Sequence, residues 1–289
     1  MFYRSFVFLF AALLLLSACA FAADMSSRRF GNTGEKMAVV GIEASANCSR
    51  DAFKVVLRNA SRAGSVFVSA SPYVDGGERF VAENIGPAYL SRCLLATYWK
   101  TDNDDKEDDL VRRFNSSMKS MNVDCIDCIV IDDIRESRYL KKNCITKAFY
   151  RLKKERKTRY LGVYVKKTEK EPIRRILSYV IKTGDFDFIV LDYSVDNFRE
   201  ISDYIEVIGQ KGMGVVVKGV IGDSLKNPEL ARRIARRKSL PLEQAVMQWA
   251  VSSNRWISSI LVEPSDLDVV KKVLDGCGDE DNSSIFDIR

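Results

Sequence analysis

The chain has no histidine in its 289 residues. That absence removes the commonest general base, the commonest zinc ligand and every triad built on an imidazole. No Gly-x-Gly-x-x-Gly follows a predicted strand, which counts against an open doubly wound sheet of the dinucleotide-binding kind. No internal linker divides the sequence. A single arginine, Arg4, precedes the first apolar run, so a twin-arginine export signal is missing. What is present suits one large domain. Apolar residues make up 46%, enough for a full core. The net charge is +6, with the basic residues gathered in particular helices rather than in tails.

Residues 1–22 read as a targeting segment. Arg4 is the positive n-region, and Phe6 to Leu16 is an apolar run too short for a comfortable membrane span. Two cleavage readings compete. Leu16-Ser17-Ala18-Cys19 resembles a bacterial lipobox, in which Cys19 becomes the lipidated first residue. Ala20-Phe21-Ala22 resembles an ordinary signal-peptidase site. The lipobox is preferred, because its small residues fall directly before a cysteine at the end of the apolar run. Either reading places the protein in the bacterial cell envelope, anchored to the membrane through Cys19 or free in the periplasm. Export argues against nucleic acid as a partner.

The stretch from Met118 to Asp133 sets the pattern for the rest. A helix ends near Met121, and a turn follows at Asn122-Val123-Asp124. Cys125 to Ile131 then reads as a buried strand that ends on Asp132 and Asp133. In such a strand Cys125 and Cys128 point to opposite faces, so they are expected to be small core residues rather than a metal or redox pair. The spacing of Cys48, Cys93, Cys144 and Cys277 implies no pairing.

The same alternation runs through the chain. Strands are predicted over Ala38–Ile42, Val66–Ala70, Cys93–Thr97, Cys125–Ile131, Tyr160–Val165, Phe186–Leu191, Gly214–Val217 and Trp256–Val262. Helices are predicted over Asp51–Arg62, Glu78–Ile85, Asp104–Met121, Ile145–Arg156, Pro172–Lys182, Phe198–Gln210, Pro228–Arg237, Leu242–Val251 and Asp266–Leu274. Eight strands alternating with helices give an α/β protein, a single (β/α)8 TIM barrel over residues 28–276 with a polar tail at 277–289.

Several segments in the right order resemble the aldo-keto reductases, (β/α)8 oxidoreductases that use NADPH. Arg29-Phe30-Gly31-Asn32-Thr33-Gly34 is similar to that family's opening hairpin. Ser69-Ala70-Ser71-Pro72-Tyr73-Val74 sits where the family has Asp-Thr-Ser-Pro-Tyr-Tyr. Thr158 to Val163 resembles Ile-Arg-Tyr-Ile-Gly-Val, and Pro241 to Val251 resembles the family's late helix.

The resemblance implies a catalytic aspartate, tyrosine, lysine and histidine. Those positions hold Ser69, Val74, Tyr98 and Asp132. Tyr73 and Lys100 are the nearest substitutes for the tyrosine and the lysine. The cofactor positions also differ. Tyr164-Val165 stands for Ser-Asn, Val190 for a glutamine, and Leu261-Val262-Glu263-Pro264 for the phosphate loop. A phenol near pKa 10 donates a proton poorly unless a cation stabilises the phenolate. The expectation is therefore an exported, catalytically degenerate barrel without cofactor, binding an unknown small molecule or protein. The alternative is a divergent NAD(P)H-dependent oxidoreductase that reduces a carbonyl through Tyr73, with Tyr164 and Lys218 as candidate cofactor contacts.

The strand ends permit other readings. Asp132 and Asp192 suit acid–base work or a hard cation, and Lys218 a desolvated nucleophile. Tyr73, Tyr98, Trp99 and Tyr164 suit an aromatic pocket without turnover. Basic runs at Arg151–Lys157 and Arg232–Lys238 are expected as solvated helix ends, or as contacts for anionic headgroups.

Overall fold

The computed structural model describes residues 25–100, 104–134, 136–141, 143–166, 172–226 and 228–278. Eight parallel strands close into a barrel: β3 (Val40–Glu43), β4 (Val66–Ser69), β5 (Cys93–Lys100), β6 (Cys128–Ile134), β7 (Tyr160–Val165), β8 (Phe188–Asp192), β9 (Gly214–Lys218) and β10 (Ser259–Val262). β10 pairs with both β9 and β3, so the barrel has no open edge. Before it, β1 (Ser27–Arg29) and β2 (Lys36–Ala38) form an antiparallel hairpin. The sequence pattern merges β2 and β3 into one strand; Val39 separates them in the fold.

Helices α1 (Arg50–Ala63), α2 (Gly77–Asn84), α3 (Pro87–Leu90), α4 (Glu107–Met121), α5 (Asn143–Lys154), α6 (Ile173–Thr183), α7 (Phe198–Gln210), α8 (Val220–Lys226), α9 (Pro228–Lys238), α10 (Leu242–Ser253) and α11 (Leu267–Asp275) connect the strands. Each long helix has an apolar stripe that packs outside the barrel. On α1 it is Phe53, Val56, Leu57 and Ala60, capped by the Ser49 side chain. Among the described residues no helix is long and apolar enough to cross a membrane. Residues 1–24, with Cys19 and both cleavage readings, lie outside the described residues, as does the tail from residue 279.

Period-two alternation divides the strand residues between two cores. On β5, Cys93, Leu95 and Trp99 face the helices, while Leu94, Ala96 and Tyr98 face the barrel interior. The lower interior is aromatic. Phe30, delivered by the hairpin, meets Phe188 at 5.1 Å and Phe67 at 6.0 Å between ring centroids. Two glycines make room for these rings. A Cβ on Gly162 would lie 2.3 Å from Phe188 Cζ, and one on Gly214 would lie 2.4 Å from Phe30 Cδ2.

Two expectations are corrected here. β6 begins at Cys128, three residues later than predicted, so Cys125 precedes the strand and is exposed while Cys128 is buried. Cys125 therefore occupies neither face of the strand, and of the two only Cys128 is a core residue. Both thiols are nonetheless free, as are Cys48, Cys93, Cys144 and Cys277. The second correction concerns Trp99. It points out of the barrel and meets Phe114 of α4 at 6.5 Å, so it lines no mouth pocket.

Candidate functional site at the barrel mouth

The inward parity of each strand carries on to its C-terminal end, where the last inward positions are polar. β3 ends on Glu43, β4 on Ser69, β5 on Lys100, β8 on Asp192 and β9 on Lys218. β6 brings Asp132 level with Lys100, and β8 brings Asp192 level with Lys218. Tyr98 and Tyr164 form the layer just below, 3% and 9% exposed.

Pairing within this ring joins neighbours. The Lys218 ammonium is bound by the Glu43 carboxylate and lies 5.0 Å from the Tyr164 ring centroid. Tyr164 Oη donates to Asp192 Oδ1 at 2.7 Å. Ser69 Oγ and Tyr98 Oη are 2.9 Å apart. Burial, and after it the Glu43 carboxylate, pushes the Tyr98 phenol far above its ordinary pKa; the Ser69 bond pulls the other way. Burial and then the Asp192 carboxylate do the same to Tyr164. Burial raises the Asp192 carboxyl, opposed by the Tyr164 hydroxyl and by Lys218.

Tyr73 and Lys100 do meet, but not as an ammonium bonded to a hydroxyl. The Lys100 backbone N–H donates to Tyr73 Oη at 3.1 Å, and its Nζ sits 4.3 Å from the ring centroid, over the π face. Tyr73 is 41% exposed, so this pair stands in water rather than in the low-dielectric mouth. Among the described residues no three Cys, Asp or Glu side chains cluster closely enough to hold a metal ion.

Glu43 was missed by the sequence reading, which ended the first barrel strand at Ile42. Counting inward positions from Gly41 would have found it. Ser45 was missed as well; its hydroxyl donates to Glu263, while Ser49 N donates to Pro264 O at 2.8 Å. These bonds draw the loop after β10 onto the loop after β3.

No family model matches the chain, and no curated protein matches its sequence. Solved structures do match. MGS-M4, an aldo-keto reductase enzyme from a Medee basin deep-sea metagenome library, superposes with a TM-score of 0.66 at 18% identity, over 88% of this chain and 91% of that one. The aldo-keto reductase AKR11C1 from Bacillus halodurans, in its holo form, gives 0.66 at 16% identity, over 89% and 92%. An aldo/keto reductase from Brucella melitensis gives 0.62 at 16% identity, over 88% and 93%. The fold is that of the aldo-keto reductases.

An aldo-keto reductase barrel raises the question of a nicotinamide dinucleotide, and the residues here do not fit one. Where the resemblance implies a phosphate loop, Glu263 sets a carboxylate that would repel a phosphate. Where it implies a glutamine, Val190 is fully buried in the barrel interior. The Tyr164 hydroxyl is already committed to Asp192.

The first basic run resolves into local pairs. Arg151 binds Asp108 at 2.8 Å and Lys157 binds Glu155 at 2.7 Å, so the acidic first turn of α4 answers the basic end of α5. Arg232, Arg233 and Arg236 remain exposed on α9.

Proposed function

We propose that this chain is an exported barrel of aldo-keto reductase fold that binds a small molecule or protein at its mouth without reducing it, held to the membrane through Cys19. One observation carries the reading. The buried phenols at the mouth, Tyr98 and Tyr164, adjoin carboxylates, and the ammonium beside the Tyr164 ring, Lys218, is neutralised by Glu43. A tyrosine general acid needs the reverse arrangement, a cation that stabilises the phenolate left behind. With the proton held on oxygen, a carbonyl oxygen gaining negative charge finds no donor. A second reading, a divergent NAD(P)H-dependent reductase, draws on the Tyr73–Lys100 contact.

Titrating the purified full chain with NADPH, followed by nicotinamide fluorescence, separates the two. No saturable change is expected. Micromolar binding, with carbonyl turnover that disappears in Tyr73→Phe, would establish the second reading instead. For the anchor, Cys19→Ala is expected to move the protein from the membrane to the soluble fraction; membrane retention of that variant refutes lipidation at Cys19.

A further inference from the structure

At the other end of the barrel, the opening hairpin, the turn before β9 and the segment leading into β10 enclose an open-sided cleft of about 510 Å³. That volume is in the range of small-molecule sites. Three arginines line it, Arg28, Arg29 and Arg255, and no carboxylate does. Arg28 has a structural task. Its guanidinium donates to the carbonyls of Val251, Asn254 (3.0 Å) and Ile257 (2.9 Å), which ties the hairpin to the end of α10. Arg29 and Arg255 have no such task. Both are exposed, and neither has an ion pair among the described residues.

The rest of the wall supplies apolar surface. Trp256 lies flat on α7, where a Cβ at Gly209 would fall 2.5 Å from the indole ring. The Arg255 guanidinium carbon stands 5.3 Å from the Trp256 ring centroid, and Met213 lines the same cleft. Two guanidinium forks without counter-charge select a carboxylate or phosphate group, which they can hold in bidentate geometry. A fixed indole face and a thioether select a flat apolar body attached to it.

We propose that this cleft is a second ligand site, for a small organic anion. The anionic group lies between Arg29 and Arg255, and the apolar body rests against Trp256 and Met213. The site is at the opposite end of the barrel from the mouth, so its failure leaves the mouth reading untouched, and the converse also holds.

The test uses the nitrogen-15-labelled full chain titrated with phenyl phosphate, benzoate and neutral benzyl alcohol. The chain has three tryptophans, so the indole N–H signals are few. That of Trp256 is assigned by its loss in Trp256→Phe, and the signals of buried Trp99 and Trp249 serve as controls. At least one of the two anions is expected to shift the Trp256 signal saturably, with the controls unmoved; which one identifies the group as phosphate or carboxylate. Affinity should fall about tenfold or more in Arg29→Gln/Arg255→Gln. Should the double variant unfold, either single variant gives the same reading. The proposal is overturned by the absence of saturation with both anions, by equal binding of benzyl alcohol, or by affinity unchanged in the arginine variants.

Discussion

Phe188→Ala is expected to lower the free energy of unfolding by about 3–5 kcal/mol. Phe188 is fully buried on the inward face of β8 and touches rings on both sides, Phe30 at 5.1 Å and Phe67 at 5.7 Å. Its loss removes the hydrophobic transfer energy of the ring and leaves a cavity that closed barrel walls cannot collapse to fill. Gly162 supplies a specific check. Gly162→Ala alone is expected to destabilise, because its Cβ would meet Phe188 Cζ at 2.3 Å. In the Phe188→Ala background the same methyl enters the vacated space. Urea denaturation of the two single variants and the double variant should therefore give a double variant less costly than the sum of its parts. Additive costs would mean that the ring and the glycine are not packed against each other as described.

Asp127→Ala is expected to cost about 1–3 kcal/mol, well above an ordinary surface change. Asp127 lies just before β6 and connects three segments. Its Oδ2 accepts from Leu95 N of β5 at 3.0 Å, and its Oδ1 accepts from Arg159 Nε at 2.9 Å. Arg159 in turn reaches Glu35, in the hairpin connection, at 2.7 Å. Alanine leaves a buried N–H without its acceptor, whereas Asp127→Asn keeps an oxygen for Leu95 and should cost less. Burial pushes the Asp127 carboxyl above its ordinary pKa, against the Leu95 amide and Arg159. A carboxyl raised in the fold contributes stability below its unfolded pKa and loses it as pH rises through the folded one. The advantage of wild type over Asp127→Asn should therefore shrink across that acidic range. Equal costs for alanine and asparagine would contradict the Leu95 bond.

The sequence disclosed the barrel because its signals are local. Alternating apolar residues and helical stripes predicted β7 and α7 to the residue. Its errors arose where neighbouring residues are ambiguous. Cys125-Ile126 looks like strand but precedes it, since Asp127 turns its carboxylate to the Leu95 amide. α8 was missed because Gly219 and Gly222 interrupt the helical pattern. At the mouth, Tyr98, Asp132, Tyr164, Asp192 and Lys218 were legible as residues at strand ends, but the Glu43–Lys218 pair was not. It joins positions 175 apart in sequence. The arginine cleft was illegible for the same reason, as it assembles from the hairpin, the turn before β9 and the approach to β10.

The central claim is that the buried phenols at the mouth hold their protons more tightly than a free tyrosine. An alkaline spectrophotometric titration of tyrosine ionisation, in wild type and in Tyr98→Phe and Tyr164→Phe, measures this directly. Phenols raised in the fold lend stability below about pH 10 and lose it above, so these two should ionise only as the protein unfolds. A native phenol that ionises well below about pH 10, and vanishes in either variant, would contradict the account.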